Sequence, residues 1–371
     1  MFDVTDKSPR STDASSVRLK SPMTFAHGRG VRATKRCPGD FCRSRHVCRT
    51  TTRAFISAVS FILFLTSIAV ADDPQVKPVS AEPVTAGAPG TRRALIVCGL
   101  TGDAAHHMLY SETVSKLHEG LCQRLGFAES DVRVLFGDEP DDSDVGIIKS
   151  SRRATRAELE QSVAALREKL QPDDALWVIV VGHCHYDGKH AWLNLPGPDI
   201  QQFEFAKLFQ GLSAAQQVFW LTTPTSGLYI KPLSAKGRVV ISATEVDWET
   251  NEPEFPHELA RVLSSPPEAK EFDIDRDGSV TLFDLYVTVA RNLAQSYLER
   301  ELLATEHPLL DDNGDGRGTD MQIDFLSEDQ GGRSKPRKPS TAPTNPTGDG
   351  RISKSIPLAL PRTESTQPAV E

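Results

Sequence analysis

From residue 93 onward the apolar residues fall into short unbroken runs, separated by stretches with helical spacing. Residues 93–99 (RALIVCG) form an apolar run closed by glycine, which predicts a buried strand. The same reading predicts strands at 131–136 (DVRVLF), 175–181 (ALWVIVV), 217–222 (QVFWLT) and 238–243 (RVVISA). Between them, Val114, Leu117, Leu121 and Leu125 recur at helical spacing and predict a helix over 110–125. A second helix is predicted over 155–170, where Thr155 and Glu158 have the spacing of a capping box and Leu159, Val163, Leu166 and Leu170 follow. Residues 203–212 predict a third and 256–263 a fourth. Strands that are apolar throughout and alternate with helices imply an α/β fold, a mostly parallel sheet with helices on both faces. In such sheets chemistry sits at the carboxyl ends of the strands.

Composition divides the chain. Residues 1–71 carry 12 Lys+Arg against 4 Asp+Glu, whereas the other 300 carry 30 against 46. An acidic body repels phosphates, so nucleic acid is not the expected partner, and cations suit it better. The basic head ends in Arg43, Arg45, Arg49 and Arg53, followed by an uncharged apolar run at 54–71 that closes on Ala69-Val70-Ala71. These are the parts of an export signal. The run of 18 residues is also at the lower limit for a retained membrane anchor. In either case the body is expected outside the cytoplasm, with a membrane involved only if the segment is kept. Met1 and Met23 are both possible starts. Cys37, Cys42 and Cys48 lie in the head, and Cys98, Cys122 and Cys184 remain, an odd number that implies no disulfide framework.

The expected organisation is a signal or anchor over 1–71, a Pro- and Ala-rich linker over 72–91, an α/β domain over 92–265, a small helical cation-binding extension over 266–327 and a disordered tail over 328–371.

Two strand ends carry the candidate chemistry. The run 175–181 ends in Gly182-His183-Cys184-His185, and the run 217–222 ends in Thr223-Pro224-Thr225-Ser226-Gly227. With Gly182-His183, the segment of Leu193 and Asp199, and Thr225-Ser226-Gly227, residues 92–265 resemble the caspase-like clan, and within it the legumain-like and bacterial caspase-like peptidases. The resemblance implies a caspase-like sheet, with His183 as the dyad histidine and a cysteine nucleophile after the second strand. Pro224 occupies that nucleophile position, and Cys184 replaces the glycine that usually follows the histidine. Proline has neither a nucleophile nor a backbone N–H, so the expected covalent step and a main-chain oxyanion contact are both lost. Cys184, Thr223, Thr225 and Ser226 are the substitutes nearby, though side chains of neighbouring residues on an extended segment point to opposite faces.

Residues 273–284 (DIDRDGSVTLFD) have the pattern of an EF-hand loop. Asp273, Asp275 and Asp277 hold positions 1, 3 and 5, and Gly278 holds the sharp turn at position 6. Ser279 offers its carbonyl, Thr281 reaches through water, and Asp284 closes the loop at position 12. Such oxygen donors point to calcium. Asp284 is shorter than the usual glutamate, and Pro266-Pro267 breaks the incoming helix, while Leu282, Tyr286, Val289, Leu293 and Tyr297 share one face of the outgoing helix. A second acidic loop offers Asp311, Asn313 and Asp315 with Gly316, Gly318 and Gln322 following, either a second cation site or an Asx- and Gly-rich turn. Together with 305–316, the loop at 273–284 resembles the C-terminal extension of exported bacterial caspase-like proteins.

The sequence therefore predicts an exported, calcium-binding, caspase-like pseudopeptidase that binds an unidentified peptide or protein ligand. The alternatives are a peptidase or hydrolase with a relocated cysteine or hydroxyl nucleophile, and a calcium-stabilised structural protein.

Overall fold

The computed structural model describes residues 90–137, 143–245, 249–333 and 348–358. The chain divides into two compact units, Met1–Pro78 and Val79–Glu371, and every described residue belongs to the second. The expected export signal or anchor and nearly all of the expected linker lie outside the described residues. Among the described residues no helix is long and apolar enough to cross a membrane.

The unit opens with strand β1 (Arg92–Cys98) and helix α1 (Ala104–Glu119), which continues as one π-helical turn (Gly120–Arg124). Strand β2 (Val132–Phe136), the single turn α2 (Gly146–Lys149) and helix α3 (Arg156–Lys169) lead to strand β3 (Ala175–Val181). A small antiparallel sheet follows, made of β4 (Cys184–Tyr186), β5 (Ala191–Leu193) and β6 (Ile200–Gln201). Then come α4 (Gln202–Leu208), β7 (Gln216–Leu221), α5 (Ile230–Leu233), β8 (Arg238–Ser242), α6 (Phe255–Ser264), α7 (Ala269–Phe272), α8 (Leu282–Glu299) and β9 (Leu309–Asp311).

The main sheet has the order β2-β1-β3-β7-β8-β9. All neighbours are parallel except β9, which runs antiparallel to β8 with Ile241 opposite Leu310. Alternate residues of each strand feed two cores. Ile96, Ile179, Trp220 and Ile241 pack with α1, α6 and α8, while Leu95, Val178, Phe219 and Val240 pack with α3 and α4. Burial on both faces is why these strands read as unbroken apolar runs. The chain is thus an α/β protein with a mostly parallel sheet covered by helices, as its pattern implies.

Local chemistry sets several boundaries. Helix α1 begins six residues before the expected 110, because the Asp103 carboxylate accepts the His106 N–H at 2.9 Å as an N-cap. Thr155 caps α3 by accepting the Glu158 N–H at 3.2 Å. The other half of the expected box is absent, since the Glu158 carboxylate turns to Arg152 at 3.2 Å. At the start of β8, Arg238 is buried, and among the described residues it has no carboxylate partner. Its guanidinium donates to the Leu233 carbonyl at 2.7 Å, the Phe209 carbonyl at 2.9 Å and Gln217 at 2.8 Å, and burial pulls its pKa down to about 10.

Three expectations change. The stretch 309–311, read as the entry to a loop, is the edge strand β9, too short to show a period of its own. The helix of the expected extension is not a satellite: Leu282, Leu285 and Val289 of α8 share one core with Leu259 and Val262 of α6. The tail expected to be disordered from 328 onward includes an ordered segment at 348–358. There Ile356 and Leu358 join the core, and the Leu358 N–H donates to the Val280 carbonyl at 2.9 Å.

Candidate functional site

Strands β1, β3 and β7 are parallel neighbours, so their carboxyl ends lie side by side. Immediately after β3, Gly182 adopts a φ of 114°, where a side chain is strained, and a Cβ there would stand 3.0 Å from the Gly99 nitrogen. This turn delivers His183. Its Nε2 faces the Thr101 carbonyl at 3.2 Å, and its ring packs edge-on against His106 and Tyr110, with centroids 5.1 and 5.5 Å away. Among the described residues no thiol or hydroxyl is hydrogen-bonded to His183.

Cys184 takes the opposite direction. Its Sγ lies 3.7 Å from the Thr225 Oγ1, and the Tyr229 and Thr223 hydroxyls also face it. Burial pushes the thiol pKa up, more than these hydroxyls pull it down. After β7, Pro224 is buried, and Thr225 follows it in a left-handed conformation with φ 53°. Ser226 is wholly buried. Its Oγ accepts the Ala243 and Thr244 N–H groups, each at 3.1 Å, and sits 3.0 Å from the Thr244 hydroxyl. The serine hydroxyl therefore ties the turn to the end of β8 and is closed off from solvent. Gly227 is tight for a related reason, since a Cβ there would stand 2.6 Å from the Glu245 carbonyl carbon.

The sequence reading missed the groups that surround His183. His106 has a carboxylate on each ring nitrogen, Asp103 at 2.8 Å from Nδ1 and Glu252 at 3.2 Å from Nε2. Glu252 also accepts the Tyr110 hydroxyl. The Asp103-x-x-His106 spacing at a helix start was a readable signal for the first of these pairs. Nothing local signals Glu252, which is 146 residues away. Both ring nitrogens can donate only in the imidazolium form. The Asp103 hydrogen bond raises the His106 pKa above 6.5, with Glu252 adding to it against some desolvation. In an NMR titration His106 is expected to hold its proton above pH 6.5, and Asp103→Asn or Glu252→Gln to lower its midpoint. A midpoint unmoved by both changes would disprove that account.

In the first acidic loop, Asp273, Asp275 and Asp277 each bring a carboxylate oxygen to within 4.8 Å of the others. The Asp273 carboxylate accepts the Asp277 N–H at 3.1 Å and the Gly278 N–H at 2.9 Å, and Asp277 accepts the Ser279 N–H at 2.8 Å. Gly278 has φ 91°. Thr281 and Asp284 lie at the start of α8. Asp284 accepts the Thr281 N–H at 2.8 Å, its hydroxyl at 2.7 Å and the Ile274 N–H at 2.9 Å, and burial raises its pKa. Asp284 stands outside the three-carboxylate cluster. The donors are all oxygen, which suits a hard cation such as calcium.

The second loop repeats this wiring. Asp311 accepts the Gly314 N–H at 3.0 Å and the Gly316 N–H at 3.1 Å. Asn313 accepts the Asp315 N–H and Asp315 the Arg317 N–H, both at 2.8 Å. Left-handed residues occur at matching places, Arg276 and Gly278 in the first loop and Gly314 and Gly316 in the second. Gln322 does not close the second loop: its amide donates to the Pro308 carbonyl at 3.0 Å, and its oxygen accepts the Tyr286 hydroxyl.

These features define an α/β protein with a histidine at one strand end and two acidic turns beside the sheet. No protein-family model and no curated protein matches the chain. Among solved structures it is similar to the crystal structure of protein GSU0716 from Geobacter sulfurreducens, with 12% identity and a TM-score of 0.39, over 60% of this chain and 93% of that one.

Proposed function

We propose that this chain is an exported, calcium-binding, caspase-like pseudopeptidase whose sheet end serves as a binding surface for a peptide or protein. One observation carries the reading: His183 follows β3, and buried Pro224 follows the adjacent parallel strand β7, where a peptidase of that design places its thiol. The strand order and the resemblance of residues 92–265 support the architecture. The neighbouring nucleophiles support loss of catalysis. Ser226 is enclosed, the Cys184 thiol is held protonated, and neither is hydrogen-bonded to His183. The oxygen-only cluster of Asp273, Asp275 and Asp277, with the Ser279 carbonyl, Thr281 and Asp284 in the same loop, supports calcium. The basic head and the apolar run at 54–71 support export.

The test treats the purified chain with thiol- and hydroxyl-directed peptidase probes and a peptide-substrate panel, with and without calcium. The expected result is neither labelling nor turnover, while calcium binding is measurable by calorimetry and is lost in Asp273→Ala. Labelling that disappears in His183→Ala would show a relocated nucleophile instead.

A further inference from the structure

Segment 348–358 touches both acidic loops. At one end Asp312 and Asp349 interlock. Buried Asp312 accepts the Gly350 N–H at 3.0 Å, the Ser353 N–H at 2.8 Å and the Ser353 hydroxyl at 2.9 Å. Asp349 in turn accepts the Asp312 N–H at 3.1 Å, the Asn313 N–H at 3.3 Å and the Thr319 hydroxyl. At the other end the segment lies antiparallel against the first loop, with Thr281 bridged to Pro357. The Leu282 N–H donates to the Ile356 carbonyl and the Leu358 N–H to the Val280 carbonyl, each at 2.9 Å.

Between these anchors, the 3-10 turn Ser353–Ser355 aims Lys354 into the first loop. Its ammonium stands 2.8 Å from the Asp275 Oδ2, with side-chain exposures of 15% and 1%. It also rests over the Phe283 ring, 4.5 Å from the centroid. Asp275 holds position 3 of the candidate calcium loop. One of the three clustered carboxylates is therefore already neutralised by a cation carried on the chain.

We propose that Lys354 is a tethered counter-ion of the first acidic loop, and that calcium binding there opposes the grip of segment 348–358. This inference rests on the calcium reading of 273–284. A divalent cation held by Asp275 must share that carboxylate with an ammonium of the same sign, and this pair is shielded from water although Asp277 across the loop is exposed. The repulsion lowers calcium affinity, and by linkage bound calcium weakens the lysine anchor by the same factor. When the lysine is drawn off, segment 348–358 loses a side-chain anchor between the Asp312 clasp and the backbone pairs at Leu282 and Leu358.

The test is a calorimetric titration of the full chain with calcium chloride after chelator removal, paired with amide hydrogen exchange. Lys354→Met is expected to bind calcium about fivefold more tightly or better, the lower range of site-to-site coupling. Lys354→Gln, a second neutral variant with a polar end, is expected to do the same, and Lys354→Arg to stay near wild type. Calcium is expected to speed exchange at Leu282 and Leu358 in the wild type. If wild type and neutral variants bind calcium alike, or the variants bind more weakly, the coupling is overturned and the calcium reading stands. Unchanged or slower exchange in calcium also overturns the coupling. If no form binds calcium, the reading of the loop fails and the coupling falls with it.

Discussion

An Asp312→Ala chain is expected to unfold about 3 kcal/mol more readily than the wild type, the scale of losing several hydrogen bonds to a buried charged acceptor. Asp312 is fully buried and accepts two backbone N–H groups and one hydroxyl from segment 348–358. Alanine leaves those donors enclosed without an acceptor, the costly half of the hydrogen-bond asymmetry. The same change unfastens Ile356 and Leu358 from the core they join. Denaturant melts should show a lower midpoint, and exchange at the Gly350 and Ser353 amides should rise. An unchanged midpoint would mean that the segment adds nothing to the stability of the fold.

The second large effect is a dependence of stability on pH carried by Glu306. Its carboxylate accepts the Glu254 N–H at 2.9 Å and the Phe255 N–H at 3.0 Å at the start of α6, and the Tyr297 hydroxyl at 2.9 Å. Those donors favour the charged form, but burial outweighs them and lifts the pKa from 4.5 to about 7. Between these two values the native state keeps a proton that the unfolded chain releases, so stability falls as pH rises. At about 1.4 kcal/mol per pH unit, the loss from pH 4.5 to pH 7 is about 3 kcal/mol. Above pH 7 the contribution is flat. Glu306→Gln cannot ionise, so its stability, measured against wild type across this window, should lack that decline. Parallel curves for the two chains would refute the assignment.

The parts of the fold that were legible in the sequence are those whose signal is local. Runs such as ALWVIVV at 175–181 mark a strand buried on both faces, and Thr155 marks the start of α3 by its own hydroxyl. The acidic turn at 273–284 was legible because its donors lie within 12 residues of one another. What escaped depends on distance along the chain. β9 is three residues long and becomes a strand only by lying against β8. Segment 348–358 has the composition of a tail and is held by Asp312, some forty residues earlier. The carboxylates around His106 come from Asp103, three residues away, and from Glu252, 146 residues later in the chain. At the candidate site, the lack of a thiol or hydroxyl at position 224 was readable from Pro224 alone. The enclosure of Ser226 was not, because its partners Ala243 and Thr244 belong to the end of the next strand.

The antiparallel strand β9 also decides what the sheet offers to other molecules. Without it, β8 would present Val240, Ile241 and Ser242 along an open edge, a template on which another chain can add a strand. β9 covers that edge for three residues and then bends away into the second acidic loop. The outer side of β9 is capped in turn, because Leu310 and Thr319 exchange backbone hydrogen bonds of 3.1 and 2.9 Å. Unfolding the loop that begins at Asp311 would take β9 with it and leave that edge of β8 open to a strand of another chain.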